Sequence, residues 1–437
     1  MKRRWKLLAV LLGLPLSWMA LVASGWLPRL RAEDVAAVTM LSQPAALTGE
    51  RNAFALLQSF DRDVPESDWE RVAAEQMAKV SGRTLLDGYS LQAGAEYPAY
   101  PALPPALKEV CTSWGGQCLS AVRAHTDAVR EHLAQAGARL ARGERLLDYD
   151  YYRYDGPLRV DSPIMPVSGY FNQLLMSIAL KHVDGDSAAA LDQLCRHVAG
   201  WRRLRGQTDM LILDMLGTAF VSGGTTLYAD ILAELPADYS PPCPQTFAPL
   251  DDRELQLCPI VHAEFQSYQA SAQVLGADVV LAVNGETTLL GRLGSLFDNP
   301  AHRDAIVART LARYCGEAHL ARVRARAAGP ALQPLACSME EWLFDPPSCL
   351  LGDLMVDYDP YYHRQLDLDG RLRLLNLAMH LRGLDASAAE RAFAEREASL
   401  RSSAHEMQID SATQVVRMRP LDRARGKVWE FSYASAH

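Results

Sequence analysis

Residues 174–204, LLMSIALKHVDGDSAAALDQLCRHVAGWRRL, carry the pattern that sets the fold class. Gly185-Asp186 separates two runs of helical periodicity, and Ala188-Ala189-Ala190-Leu191 places small residues early in the second. That combination predicts an αα-hairpin, two antiparallel helices packed closely around a short turn. No fixed period of such units recurs along the chain, so a repeating solenoid is not implied.

Working outward, the same period continues on both sides. Further helices are predicted at about 65–80, 168–183, 187–204, 209–235, 252–275, 300–328, 364–384 and 386–402. Acidic residues open the first of these, and Asn299-Pro300 opens the helix from 300. Leu119, Val122, Thr126, Val129, Leu133, Ala136 and Leu140 recur at spacings of three and four, with charged residues between them. This stripe is long enough to suggest a coiled coil, although Thr126 and Ala136 favour packing on the chain's own core. Tyr97-Pro98-Ala99-Tyr100-Pro101 through Pro105 predicts an extended, polyproline-like connector. After residue 404 the period shortens to two. Met407 and Ile409, then Val415, Val416 and Met418, then Trp429, Phe431 and Tyr433 predict a small antiparallel meander. It buries its aromatic face against the helices, because so small a sheet is marginal alone.

The N-terminus has another character. Lys2, Arg3, Arg4 and Lys6 precede an uncharged run from Leu7 to Pro28, which is long enough for a bilayer core of roughly 30 Å. The flanking cations predict a single-pass inner-membrane signal-anchor with the body in the periplasm; cleavage after Val22-Ala23-Ser24 is the competing expectation. The expected fold is therefore mainly α. It comprises a transmembrane segment (1–31), a connector with the first helices (32–105), a helical periplasmic body of αα-hairpins (106–403) and the β meander (404–437).

Composition narrows the function. The chain has 437 residues, 49% apolar and 22% charged, with a formal net charge of −8. That suits a globular protein and gives no basic face for nucleic acid. Its eight cysteines, an even set, predict disulfides in an oxidising compartment. Close spacing suggests Cys111–Cys118, Cys243–Cys258 and Cys337–Cys349, which leaves Cys195 and Cys315 for a long-range bridge; spacing alone does not prove connectivity. Without a C-x-x-C or a matching histidine pair, neither a metal nor a cofactor is expected.

Two segments look alike: Asp148-Tyr149-Asp150-Tyr151-Tyr152-Arg153-Tyr154-Asp155 and Asp357-Tyr358-Asp359-Pro360-Tyr361-Tyr362-His363. The candidate binding cluster comprises Asp150, Tyr151, Tyr152, Tyr154, Asp357, Tyr358, Asp359, Tyr361 and Tyr362. Such rings and carboxylates can line a sugar or peptide groove. They equally describe helix ends whose tyrosines cover the core edge. Asp367-Leu368-Asp369-Gly370 has the look of part of a calcium loop. Gln365 and Asn376 occupy its required ligand positions, so a turn before a helix is expected instead. His262 and Glu264 lie two apart on a helix and face different ways. The common hydrolase, nucleotide and zinc-protease signatures are missing.

Pro347-Ser348-Cys349-Leu350-Leu351-Gly352-Asp353-Leu354, Tyr358 to Tyr362, Leu366 to Leu375 and Leu381-Arg382 together resemble the C-terminal portion of certain uncharacterised bacterial membrane-anchored proteins. The resemblance implies a Gly-containing helix, a Tyr-rich turn, a further helix and a terminal hairpin. That family carries no assigned activity, so no catalytic residue is implied. The expected function is a non-catalytic envelope scaffold or binding protein, held by the inner membrane and an envelope protein partner. The alternatives are an envelope hydrolase using acids such as Asp150 and Asp359, or a small-ligand or lipid carrier with a long apolar cavity.

Overall fold

The computed structural model describes residues 29–81, 94–112, 117–156, 158–159, 162–165, 167–280, 299–329, 332, 337–396, 404–421 and 428–434, together with Ser17. The first helices are α1 (Ala32–Leu41), α2 (Phe54–Gln58), α3 (Trp69–Ser81), α4 (Cys118–Ala124), α5 (Thr126–Gln135) and α6 (Gly137–Glu144). The central hairpin and its neighbours are α7 (Ser168–Val183), α8 (Ser187–Gly206), α9 (Leu211–Ala233) and α10 (Cys258–Val280). Then come α11 (Pro300–Ala312), α12 (Glu317–Ala325), α13 (Met339–Phe344), α14 (Pro346–Leu354), α15 (Asp359–Leu381) and α16 (Ala386–Ala394). Strands β1 (Met407–Asp410), β2 (Val415–Met418) and β3 (Trp429–Ser432) form an antiparallel sheet in chain order.

The α7–α8 hairpin forms where the sequence places it. Asp186 caps α8 by accepting from the Ala189 amide at 3.0 Å, which satisfies one of the free donors of the first turn. The hairpin packs on α9 through Phe171, Trp201 and Phe220, with ring centroids 4.7 Å apart for Phe171–Trp201 and 4.9 Å for Phe171–Phe220. Helix α9 approaches α8 so closely that a Cβ on Gly224 would lie 2.9 Å from Val198 Cγ2.

Helix α15 is buried on nearly every side although it carries five charged side chains in its buried set. Each of the central ones has an internal partner, the condition for charge in a core. Asp369 accepts from the Leu250 amide and from Arg373, both at 2.8 Å. Asp367 takes a bond from His405 at 2.8 Å and accepts from the Leu421 amide at 2.7 Å. Gln365 donates to Asp214 of α9, which also pairs with the buried Arg205 at 2.9 Å. Asp367-Leu368-Asp369-Gly370 therefore lies inside a continuous helix rather than in a turn before one. Gly370 admits the meander, since a Cβ there would sit 2.8 Å from the His405 ring and 2.9 Å from Met418 sulfur. The sheet registers Val416 opposite Phe431 and Met418 opposite Trp429. Arg371 lies over the Trp429 ring, 4.7 Å from its centre.

Two expected helices are broken. The stripe from 119 to 140 is divided into α4, α5 and α6 at His125 and Ala136, whose backbones leave the helical range. Its buried residue Val129 packs into the common core, so no continuous coiled-coil seam exists. The helix expected over 300–328 stops at Ala312 and restarts at Glu317. The Tyr97–Pro105 connector is tied down: the Tyr100 amide donates to Asp61 at 3.0 Å and the Asp63 amide to Pro98 at 2.9 Å.

Four disulfides staple the body: Cys111–Cys118, Cys195–Cys243, Cys258–Cys315 and Cys337–Cys349. The expected Cys243–Cys258 and Cys195–Cys315 bridges are thus corrected by exchange of partners. Cys195 on α8 lies with its Cα 6.2 Å from that of Cys243, and Cys258 at the start of α10 lies 4.7 Å from Cys315.

The expected membrane span is also corrected. Among the described residues no helix is long and apolar enough to cross a membrane. Helix α15 has 23 residues, but its charges belong in a protein core and not in lipid. The run from Leu7 to Pro28 lies outside the described residues apart from Ser17. The fold class becomes a mainly α body with a small C-terminal antiparallel sheet. The single-pass inner-membrane placement with a periplasmic body has no support in it.

Candidate functional site

The first Tyr–Asp segment is a strap. Asp150 accepts from the amides of Glu50 at 3.0 Å and Arg51 at 3.1 Å, and these bonds hold its carboxyl below the usual range. The Tyr151 carbonyl accepts from the Ala53 amide at 2.9 Å, and the Tyr152 amide donates to Gln207 at 3.0 Å. Tyr152 is wholly buried and takes a bond from Gln58 at 3.2 Å. Tyr154 packs edge-on to Phe54. Arg153, between them, pairs with Asp209 at 3.1 Å. The segment joins the 48–53 loop to the start of α9.

The second segment forms a denser knot at the start of α15. Tyr314 donates to Asp357 at 2.8 Å and accepts from the Tyr358 amide at 3.0 Å. Asp359 holds Arg322 of α12 at 3.0 Å and accepts from the Leu332 amide at 3.1 Å. Arg322 in turn lies over the Tyr362 ring, 4.9 Å from its centre. Tyr358 donates to Glu264 of α10 at 2.9 Å, and burial raises both hydroxyl and carboxyl above their ordinary values. Tyr361 packs against Tyr358 and is only half-buried.

Sequence reasoning missed His319. Its ring is fully buried, edge-on to Tyr314 at 5.5 Å and to Tyr362 at 5.0 Å. Neither ring nitrogen makes a hydrogen bond. Burial, helped by the Arg322 charge, pushes its pKa down to about 4, so the ring is neutral at pH 7. The knot is a clamp of α10, α12 and α15 whose polar atoms face one another.

Among the described residues, neither of two surface hollows brings the two segments together. A shallow open cleft of about 550 Å³ is lined by Arg202, Arg203, Asp251, Arg253 and Glu254, and a smaller hollow of about 250 Å³ lies between α9, α15 and β3. Neither is lined by Asp150, Asp357, Asp359 or their tyrosines. That hollow opens to solvent, and its enclosed space of about 10 Å³ is far below the ~300 Å³ at which ligand pockets begin. In the cleft Arg202 is committed to Glu254 at 2.6 Å, and Arg203 donates to the Leu147 and Tyr149 carbonyls. No family model matches this chain, and comparison with curated proteins and solved structures finds no similar one.

Two other arrangements have chemical content. Helix α13 is inverted: Met339, Trp342 and Leu343, at i, i+3 and i+4, face solvent while Glu341 is buried. Glu341 faces inward because Arg309 donates to it at 2.6 Å, and Arg309 also grips Asp34 of α1 at 2.7 Å. The Ser338 capping box adds a further bond to Glu341, from the Ser338 amide at 2.6 Å. Buried His302 holds Asp345 at 2.7 Å alongside. Around the second arrangement, α10 faces the loop after α1: His262 meets the Gln43 carbonyl at 2.8 Å and lies beside Cys258 and Cys315. Cys258 and His262, four apart on one helix face, were the available sequence signal; Cys315 comes from another helix end.

Proposed function

We propose that this chain is a non-catalytic helical binding protein, stapled by disulfides, which presents the outer face of α13 to a protein partner. The observation that carries this reading is the apolar solvent face of Met339, Trp342 and Leu343 over a buried acid. Met339 is 84% exposed and Leu343 53%, and isolated globular surfaces rarely set neighbouring large apolar groups outward without a use for them. Leu350 on the next helix, α14, is also exposed, and Leu30 precedes Arg31, which pairs with Glu341 at 3.4 Å. The commitment of Asp150 and Asp359 to internal bonds weighs against the hydrolase reading. The small size of the apolar hollow weighs against a lipid carrier.

A photo-crosslinking residue at position 343 tests the proposal in the source cell. One discrete protein adduct is expected there, lost on Met339→Glu, with none from the same probe at Asp127, a fully exposed position on charge-rich α5. Equal labelling at both positions, or an adduct indifferent to Met339→Glu, overturns the reading.

A further inference from the structure

We infer that Cys258, His262 and Cys315 form a metal site for a borderline-soft divalent cation of the zinc class when their disulfide is reduced. The two sulfurs and a ring nitrogen of His262 all lie within 4.8 Å of one another, and all three residues are half-buried. Thiolate and imidazole are the donors zinc selects, and a tetrahedral ion at ordinary bond lengths sets such donors roughly 3.6–3.8 Å apart. Three protein donors leave one position for water, the composition of an open site rather than a closed structural one.

The hydrogen bond of His262 suits this role. A carbonyl oxygen can only accept, so the 2.8 Å contact with Gln43 requires His262 to donate from Nδ1. The neutral ring then keeps its lone pair on Nε2. A backbone carbonyl holding the far ring nitrogen is the second layer that accompanies metal-bound histidines. Gln266, one turn on, donates to the same carbonyl at 2.9 Å, so the orienting group is itself fixed.

The disulfide and the metal are alternative states of one pair of sulfurs. A dithiol reductant supplies two electrons and two protons, the S–S bond breaks to give two thiols, and the dithiol closes to its own disulfide. The divalent ion then displaces the two thiol protons to solvent and forms two metal–sulfur bonds. His262 contributes its lone pair without a proton change.

The test uses the full chain, treated with graded dithiol and assayed for Cys258 and Cys315 thiols by alkylation and mass spectrometry. Cobalt(II) alone is the probe, because thiolate ligation gives it an intense charge-transfer absorption. The expected result is that this absorption appears with reduction of Cys258–Cys315, and that zinc displaces the cobalt. Cys258→Ser with Cys315→Ser abolishes it. His262→Gln, which leaves both sulfurs in place, weakens cobalt binding by at least about tenfold. Equal affinity in His262→Gln overturns the assignment, as does a Cys258–Cys315 bond that resists reduction until the chain unfolds. The site shares no residue with the α13 face, so either result leaves the crosslinking outcome independent.

Discussion

His319 shows how one side chain can set the pH response of a helical clamp. Its folded pKa of about 4 lies below the ordinary histidine value of 6.5. Between these values the unfolded chain binds the proton more readily, so stability is complete above pH 6.5 and is lost as pH falls toward 4. The loss attributable to this residue is at most about 3 kcal/mol, from 1.36 kcal/mol per pKa unit. His319→Phe keeps a ring between Tyr314 and Tyr362 and removes two nitrogens that lack hydrogen bonds. Urea unfolding from pH 7.5 to 4.5 should therefore show a flatter profile for this variant than for the native chain. An unchanged profile counts against the assignment. The sequence marked Tyr358, Asp359 and Tyr362 as a cluster, since their types and spacing are local. It gave no sign of His319, which reaches them only because α12 folds back on α15.

The junction of α1, α11 and α13 depends on one guanidinium. Arg309 bridges Asp34 and Glu341; burial pushes the Glu341 carboxyl up, but the Arg309 hydrogen bond, the Ser338 amide and the Arg309 charge together outweigh it and hold it down to about 2. That contribution is complete above the ordinary carboxylate range and is lost as pH falls through about 2. Arg309→Met would leave buried Asp34 without its cation and Glu341 with only the half-exposed Arg31 at 3.4 Å, a change that costs about 3–5 kcal/mol. Chemical denaturation should show this loss. Hydrogen exchange should locate it, with protection falling in residues 32–41 and 339–344 while the α7–α8 hairpin keeps its own. Helical period revealed most helices but not the inversion of α13. No helix is read over 339–344 from the period, and nothing in the spacing of Met339, Trp342 and Leu343 shows that they face outward until the Arg309 partner of Glu341 is known. The breaks at Ala136 and Ala312 are marked only by single glycines, Gly137 and Gly316, which a continuous helix can also carry.

For the molecule as a whole, the described residues from Leu41 to Tyr433 share one apolar core, and the disulfides fasten it at four places. Two of them close short spans of 7 and 12 residues, and two close spans of 48 and 57. By the loop-entropy model a bridge over the longer spans stabilises by about 4 kcal/mol and over the shortest by about 2 kcal/mol. Calorimetry should accordingly find a larger fall in melting temperature for Cys195→Ala with Cys243→Ala than for Cys111→Ala with Cys118→Ala. An equal or reversed order would place the stabilisation in packing strain instead. Helix type, the closing meander and the two shortest bridges, Cys111–Cys118 and Cys337–Cys349, were readable from residue order, because each depends on contacts close along the chain. Which distant cysteines join, which acids lie buried beside cations, and which helix turns its apolar side to water were set when the helices packed. Those outcomes depend on distances between segments far apart in the chain, and a local period contains no such distances.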